Sequence, residues 1–282
     1  MNNQADQTKL RRLQNSIRAR KGLIGCGAQF SVALHHCGKM VYTGTDRWGQ
    51  EEARAWSGMI ALTCGTDYIM ALMEDGTLRM AGKPPVDPAH IRMLSCIRSV
   101  SVGGSHLAIL LGNGRTVTIG ENSRGQCNTT NWPSMTDVVC GHDFTAGITL
   151  SGQLFIVGGS RAFRYTARAW QNVAGIFTDE TGTNLYAITD EGRLLSTAHL
   201  PHKAKKWRNL VYVSSNGQVI WAVTSNGALL STKQDSQQLS HRKQYVACAV
   251  GAHHALALTK DGQVLSVGNN DFGQCNTQDW IL

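Results

Sequence analysis

Residues 250–274, VGAHHALALTKDGQVLSVGNNDFGQ, contain two short runs of alternating apolar residues joined by Asp261 and Gly262. An Asp-Gly pair between such runs is a strong β-hairpin signal, because the tight turn needs positive φ and glycine adopts it at no steric cost. The loop from Gly268 to Gly273 has the composition of a second reversal. The stretch therefore predicts a hairpin followed by a sharp turn.

The turn glycine recurs along the chain and defines seven units. Successive copies are separated by 38, 38, 38, 40, 35 and 35 residues. The copies are Gly38, Gly76, Gly114, Gly152, Gly192, Gly227 and Gly262. An apolar residue lies four positions before each copy, and a Gly-Gln pair ends units one, three and seven. Because the same residue types recur at equivalent positions of successive units, the sequence indicates one module repeated seven times.

One such unit offers three or four short antiparallel strands, which cannot bury both of their faces alone. Neighbouring units can cover one another, and a radial array leaves only short, protected edges. We therefore predict an all-β fold, a seven-bladed β-propeller with repeats of 35–40 residues, over residues 23–282. The sequence leaves open which terminus supplies a ring-closing strand.

Residues 1–22 precede the first unit as a basic, partly helical extension. Leu10, Leu13 and Ile17 follow one helical stripe, which predicts a helix from about Gln7 to Arg20 after a disordered start. We expect this helix to cover one rim of the propeller. The alternatives are a helix for a membrane surface or an acidic partner, and a frayed tail.

The net charge of +8 is distributed unevenly. Residues 1–22 hold six basic residues against one acidic residue, whereas the predicted propeller holds 21 against 18. A strong nucleic-acid binder usually carries a basic face on its folded domain, so this balance argues against a nucleic-acid partner. The polar N-terminus and the lack of an apolar run of 18 residues lead us to expect a cytoplasmic protein without a transmembrane segment.

The sequence lacks the local motifs of common catalytic and cofactor sites. It contains no Gly-x-Ser-x-Gly elbow, phosphate-binding loop or His-Glu-x-x-His pattern. The eight cysteines form no Cys-x-x-Cys pair, and those in a repeat column are expected to be small, buried packing residues. We therefore expect no catalytic residue, no metal site and no cofactor.

The columns of the repeat resemble the repeat of the regulator of chromosome condensation family. Unit seven matches that pattern at Gly251, His254, Ala257, Leu258, Asp261, Gly262, Val264, Gly268, Asn270, Gly273 and Gln274. The resemblance covers about residues 23 to 282. It implies a seven-bladed propeller used for binding, in which His106 and His254 pack structurally. The short units look more like those of the type II β-lactamase inhibitor protein, a compact member of the same propeller group.

Propellers bind partners on their loops or at the mouth of the central channel. Aromatic and arginine side chains are frequent energetic anchors of protein interfaces. The eight candidate partner-binding residues come from two sets of loops that we expect on opposite faces. They are Asp67, Tyr68 and Asp143 in one set, and Arg47, Trp48, Arg124, Asp271 and Phe272 in the other. The alternative for Trp48 and Phe272 is packing between blades.

These observations favour a non-catalytic, monomeric propeller that presents its loop faces to a partner protein. Inhibition or regulation of a partner enzyme is one concrete form of that function. The resemblance also implies an alternative, a guanine-nucleotide exchange factor for a Ran-type small GTPase. The even unit lengths, however, show no inserted loop of the kind that acts in exchange. A glycan- or chromatin-binding module is the third hypothesis.

Overall fold

A computed structural model describes residues 3–91, 93–233, 239 and 243–282. These residues form seven sheets, each of three antiparallel strands in sequence order. The strands are β1 Ile24–Cys26, β2 Phe30–Leu34, β3 Met40–Gly44, β4 Met59–Cys64, β5 Tyr68–Met73, β6 Leu78–Gly82, β7 Ile97–Val102, β8 His106–Leu111, β9 Thr116–Gly120, β10 Asp137–Cys140, β11 Phe144–Ile148, β12 Leu154–Gly158, β13 Val173–Thr178, β14 Leu185–Thr189, β15 Leu194–Ser196, β16 Leu210–Ser215, β17 Ile220–Thr224, β18 Leu229–Ser231, β19 Tyr245–Val250, β20 His254–Thr259 and β21 Val264–Gly268. The seven sheets confirm the predicted blades.

The turn between the second and third strands of each blade contains the glycine that defined the repeat. All seven copies have positive φ, between 70° and 84°. This is the left-handed conformation for which glycine is required in such turns. In unit two the prolines Pro84 and Pro85 follow β6, so they lie outside its hydrogen bonds and the third strand is intact.

The first strands of the blades face a common channel. Each first strand contacts the first strand of the next blade, and β19 of blade seven contacts β1 of blade one. A cavity of about 320 Å³ is lined by residues from the first strands of all seven blades. Neither terminus adds a strand to another blade within the described residues, because blades one and seven each use their own three strands.

A helix, α1 (Asn3–Arg18), lies at the end of the channel where the first strands begin, which we call the helix face. Leu10 and Ile17 are buried in a cluster with Phe177 and Leu210, and Gln14 Nε2 donates to the Thr149 carbonyl at 3.1 Å. The helix starts at Asn3 rather than Gln7. None of the helices described in the structure is long and apolar enough to cross a membrane.

Ile17→Ala is expected to weaken the docking of α1 by about 2–4 kcal/mol, because it empties space in a buried contact. Ile17 is buried, and a Cβ on Gly175 would lie 2.8 Å from its side chain. The population of molecules with α1 undocked should rise at least about 30-fold. The rate of limited trypsin cleavage after Arg11 and Arg12 measures this population. Gln7→Ala, on the exposed side of α1, is the control. Cleavage of Ile17→Ala at the parental rate would contradict the assignment.

Candidate functional site: the loop face

The face opposite α1, which we call the loop face, combines both predicted sets of loops. Thr45 N donates to the Gln29 carbonyl at 3.0 Å, and Lys83 N donates to the Asp67 carbonyl at 2.9 Å. Each bond joins the loop after a third strand to the loop before the second strand of the same blade. The expectation of two opposite faces is therefore wrong. The physical reason is that the first and third strands of an antiparallel blade run in the same direction, so both end at this face.

Three loops of the loop face share one construction, in blades one, three and seven. In each, a buried glutamine accepts a backbone bond from the residue two positions earlier. The three bonds are Trp48 N to Gln50 Oε1, Arg124 N to Gln126 Oε1 and Phe272 N to Gln274 Oε1, each 2.9 Å. The intervening glycine has positive φ in all three loops. The Gly-Gln pair of the repeat thus fixes the backbone beneath the preceding side chain.

Two of the side chains presented in this way are large and aromatic. Trp48 is 44 % exposed and Phe272 is 46 % exposed, so neither ring is buried between blades as the alternative held. Arg47 and Lys83 place their cations 5.5 Å and 5.0 Å from the Trp48 ring. Cations at this distance are attracted by the electrons of an indole ring. Lys83 was not among the predicted residues, since it belongs to the next blade.

Blades one and seven bring the two aromatic loops next to each other. Thr43 Oγ1, near the end of β3, donates to the Gly273 carbonyl at 2.8 Å. Gly273 follows Phe272, and β3 leads directly into the loop of Trp48. The two exposed rings therefore belong to loops that are joined by a hydrogen bond between blades.

The remaining predicted residues differ in exposure. Arg124 and Asp271 are exposed, and Asp271 Oδ2 accepts a bond from Asn269 Nδ2 at 2.6 Å. Asp67 and Asp143 are half-buried. Tyr68 is only 8 % exposed, so it is not a surface contact.

The burial of Tyr68 has a steric cause. Its ring lies where a Cβ on Gly65 would be, 2.1 Å away, and burial raises the pKa of the Tyr68 hydroxyl. Phe30 covers Gly27 and Phe144 covers Gly141 in the same way, each 2.0 Å from such a Cβ. The Gly-x-x-aromatic spacing of the repeat is thus a packing motif.

His106 and His254 join neighbouring blades. His254 Nε2 lies 2.9 Å from Ser31 Oγ, which donates to the Gln274 carbonyl at 2.7 Å. Because that hydroxyl proton is used, Ser31 Oγ must accept the proton of Nε2. His106 makes the same contact with Thr145 at 2.8 Å. The structural role implied by the resemblance is confirmed for both histidines.

Burial lowers the pKa of each of these imidazoles to about 4. Neither Nδ1 atom has a hydrogen-bond partner among the described residues. The hydroxyl residues that accept the histidine bonds can be recognised in the sequence. The position of Ser31 and Thr145 is apolar in the other five units, and it is polar only in the two blades that follow a histidine blade.

The channel carries charge at both ends. At the helix face, Lys21 Nζ binds Asp137 Oδ2 at 2.5 Å and donates to the Ile176 carbonyl at 2.8 Å. At the loop face, the pKa of Glu180 is raised by burial and by Asp179. The Asp179 carboxylate accepts bonds from Thr183 N at 2.7 Å and from Asn184 Nδ2 at 2.6 Å. Its bonds organise the loop of blade five.

Comparison with known proteins gives one local sequence match and several structural ones. Residues 245–274 match the model of the regulator of chromosome condensation (RCC1) repeat, and no curated protein matches the sequence. The entire ectodomain of the receptor kinase CR4 from Physcomitrella patens is similar at 13 % identity and a TM-score of 0.66, covering 87 % of this chain and 72 % of that one.

Two further solved structures show the same architecture. The CRINKLY WD40 ectodomain of the receptor kinase ACR4 from Arabidopsis thaliana has 15 % identity and a TM-score of 0.64, over 87 % of this chain and 93 % of its own. The β-propeller domain of Cps50 (Swd1) from Myceliophteria thermophila has 12 % identity and a TM-score of 0.53, over 88 % and 96 %. Together with the seven blades, these similarities identify the chain as a β-propeller, of which one repeat, residues 245–274, matches the RCC1 repeat model.

Proposed function

We propose that this propeller is a non-catalytic protein-binding module that engages its partner through the loop face. The observation that carries the proposal is the pair of exposed rings, Trp48 and Phe272, on adjacent loops held by buried glutamines. Aromatic side chains on a fixed backbone lose little entropy on binding and are frequent interface anchors.

The two faces differ in what already covers them. On the helix face, α1 packs over blades five and six through Leu10 and Ile17. On the loop face, Arg47, Trp48, Arg124 and Phe272 are all exposed. This asymmetry favours the loop face as the partner-binding surface. Binding there would regulate or inhibit a partner enzyme by covering part of its surface, with no covalent step.

Trp48→Ser and Phe272→Ser are each expected to weaken partner binding by about 2 kcal/mol, roughly 30-fold, because each removes a central anchor. The measurement is affinity capture from the native cell with the full chain, followed by quantification of each captured protein by mass spectrometry. A direct partner should be depleted with both variants.

Leu150→Ser is the control, since it removes an exposed, large apolar side chain from the turn between β11 and β12, outside the loops of Trp48 and Phe272. It should retain the partner. Equal capture by the parent, Trp48→Ser and Phe272→Ser would rule out the loop face. Denaturant unfolding of each variant separates lost binding from lost folding.

A further inference from the structure

The connection from the third strand to the next blade contains a buried small residue in blades one, three, four, five and seven. In blades one, four and five this position is Ala53, Ala167 and Ala204, each fully buried. The carbonyl of each alanine accepts a bond from a tryptophan nitrogen three residues later, at 3.1–3.2 Å. These connections therefore occupy equivalent places at the junctions between blades.

The exposed side chains around that position differ in charge between blades. Blade one has Glu51, Glu52 and Arg54 there, and blade seven has Asp279. Blade four instead forms α2 (Arg161–Arg168), and blade five forms α3 (His202–Lys205). Residues 160–170 and 199–209 contain no Asp or Glu. Two successive junctions thus carry an entirely basic surface.

Some of these cations are used within the fold, and the others are exposed. Arg164 Nη1 donates to the Gly158 and Gly159 carbonyls at 2.8 and 2.7 Å, and Arg208 Nη1 donates to the Trp207 carbonyl at 2.8 Å. The exposed cations make no salt bridge with any residue that the structure describes. They form the basic rim, defined as Arg161, Arg168, Lys203, Lys205 and Lys206.

An exposed aromatic ring lies within this basic surface. Tyr165 is 83 % exposed. It follows Arg161 by four residues and precedes Arg168 by three, a spacing that places the three side chains on one side of α2. A ring between cations offers a nucleotide base a stacking surface beside contacts for its phosphates. An acidic protein would use the cations without needing the ring.

We propose that the basic rim binds single-stranded nucleic acid, with phosphates on the five cations and a base on Tyr165. This surface is distinct from the loop-face anchors Trp48 and Phe272. The sequence argued against a nucleic-acid partner because much of the net positive charge lies in residues 1–22 rather than in the propeller. Two of those cations have roles within the fold, however, since Lys21 binds Asp137 and Arg18 Nη1 donates to the Thr136 carbonyl at 3.4 Å. The folded domain carries its own basic sector.

The test is fluorescence anisotropy of a labelled oligo-dT of about 20 nucleotides with the full chain, at about 50 and about 200 mM KCl. The variant Arg161→Gln/Arg168→Gln should weaken binding at least about tenfold, and Lys203→Gln/Lys205→Gln should do the same. Tyr165→Ala should weaken it at least about fivefold. With five phosphate contacts, affinity should fall roughly 130-fold between the two salt concentrations.

Arg11→Gln/Arg12→Gln is the matched control, because it removes two exposed charges from α1 on the helix face. It should change the affinity less than about twofold. The proposal is overturned if the oligonucleotide does not bind at the lower salt concentration, or if the control weakens binding as much as the rim variants do. It is also overturned if polyglutamate competes as well as unlabelled oligo-dT, which would assign the rim to an acidic protein.

Discussion

Acidification from pH 6.5 to pH 4 is expected to lower the free energy of unfolding by about 3 kcal/mol for each of His106 and His254. The folded pKa of each imidazole is about 4, against 6.5 as the ordinary value. Between these pH values the unfolded chain binds more protons than the folded one, so stability falls as pH falls. The contribution of each neutral imidazole to stability is fully present above pH 6.5 and is lost as the pH falls through the folded pKa of about 4. Urea unfolding across this range measures it.

The physical cause is the geometry of the blade junctions. Each Nε2 proton already bonds a hydroxyl, so an added proton must go to Nδ1, which is buried and has no partner in the described structure. A buried, uncompensated charge is costly. His254→Gln should remove about half of the acid-dependent loss, and His199→Gln, at an exposed imidazole, should leave it unchanged. An acid dependence in His254→Gln equal to that of the parent would contradict the role assigned to this junction.

Gly268→Ala is expected to destabilise the protein by about 3 kcal/mol or more, because it combines strained backbone with a backbone clash. Gly268 ends β21 with φ 115°, a region that residues with a side chain rarely adopt. A Cβ there would lie 2.5 Å from the His253 carbonyl oxygen and 2.8 Å from the His254 Cα. Since both atoms belong to the backbone, the clash can be relieved only if the backbone of blade seven shifts. The midpoint of urea unfolding is the measurement.

Gly49→Ala is the matched control for this glycine. Gly49 also has positive φ, 79°, but nothing lies within 4 Å of the Cβ position. Gly49→Ala should therefore lower the free energy of unfolding only through the unfavourable backbone conformation, by about 1–2 kcal/mol. If the two variants were equally stable, the close approach at Gly268 would have no energetic consequence.

Blades five and six show how far the module can diverge and still form. Their sequences lack the Gly-x-x-aromatic packing motif, yet each makes three strands. In blade five, Asp179 accepts bonds from Thr183 N and Asn184 N at 2.7 and 3.1 Å. In blade six, Asn216 Oδ1 accepts bonds from Gln218 N and Val219 N at 3.1 and 2.9 Å. Polar side chains thus satisfy the loop backbone where an aromatic ring packs on glycine elsewhere.

The amino-acid sequence by itself determined the repeat, the hairpin in each unit and the number of blades. These follow from local chemistry, because turn glycines and alternating apolar residues act within a few residues of one another. The similar intervals between turns, 35 to 40 residues, then made a radial array the economical way to bury every sheet. The structural role of His106 and His254 was also accessible, since it came with the resemblance of the repeat.

Only the tertiary structure decided which residues form the surface available to a partner. It placed both predicted loop sets on one face, exposed Trp48 and Phe272, buried Tyr68, and brought Lys83 of the next blade to the Trp48 ring. It also placed α2 and α3 at successive junctions, so that two basic stretches lie on consecutive blades. The reason is physical: exposure and charge proximity depend on how blades pack, and residues of neighbouring blades are a whole repeat apart in the chain.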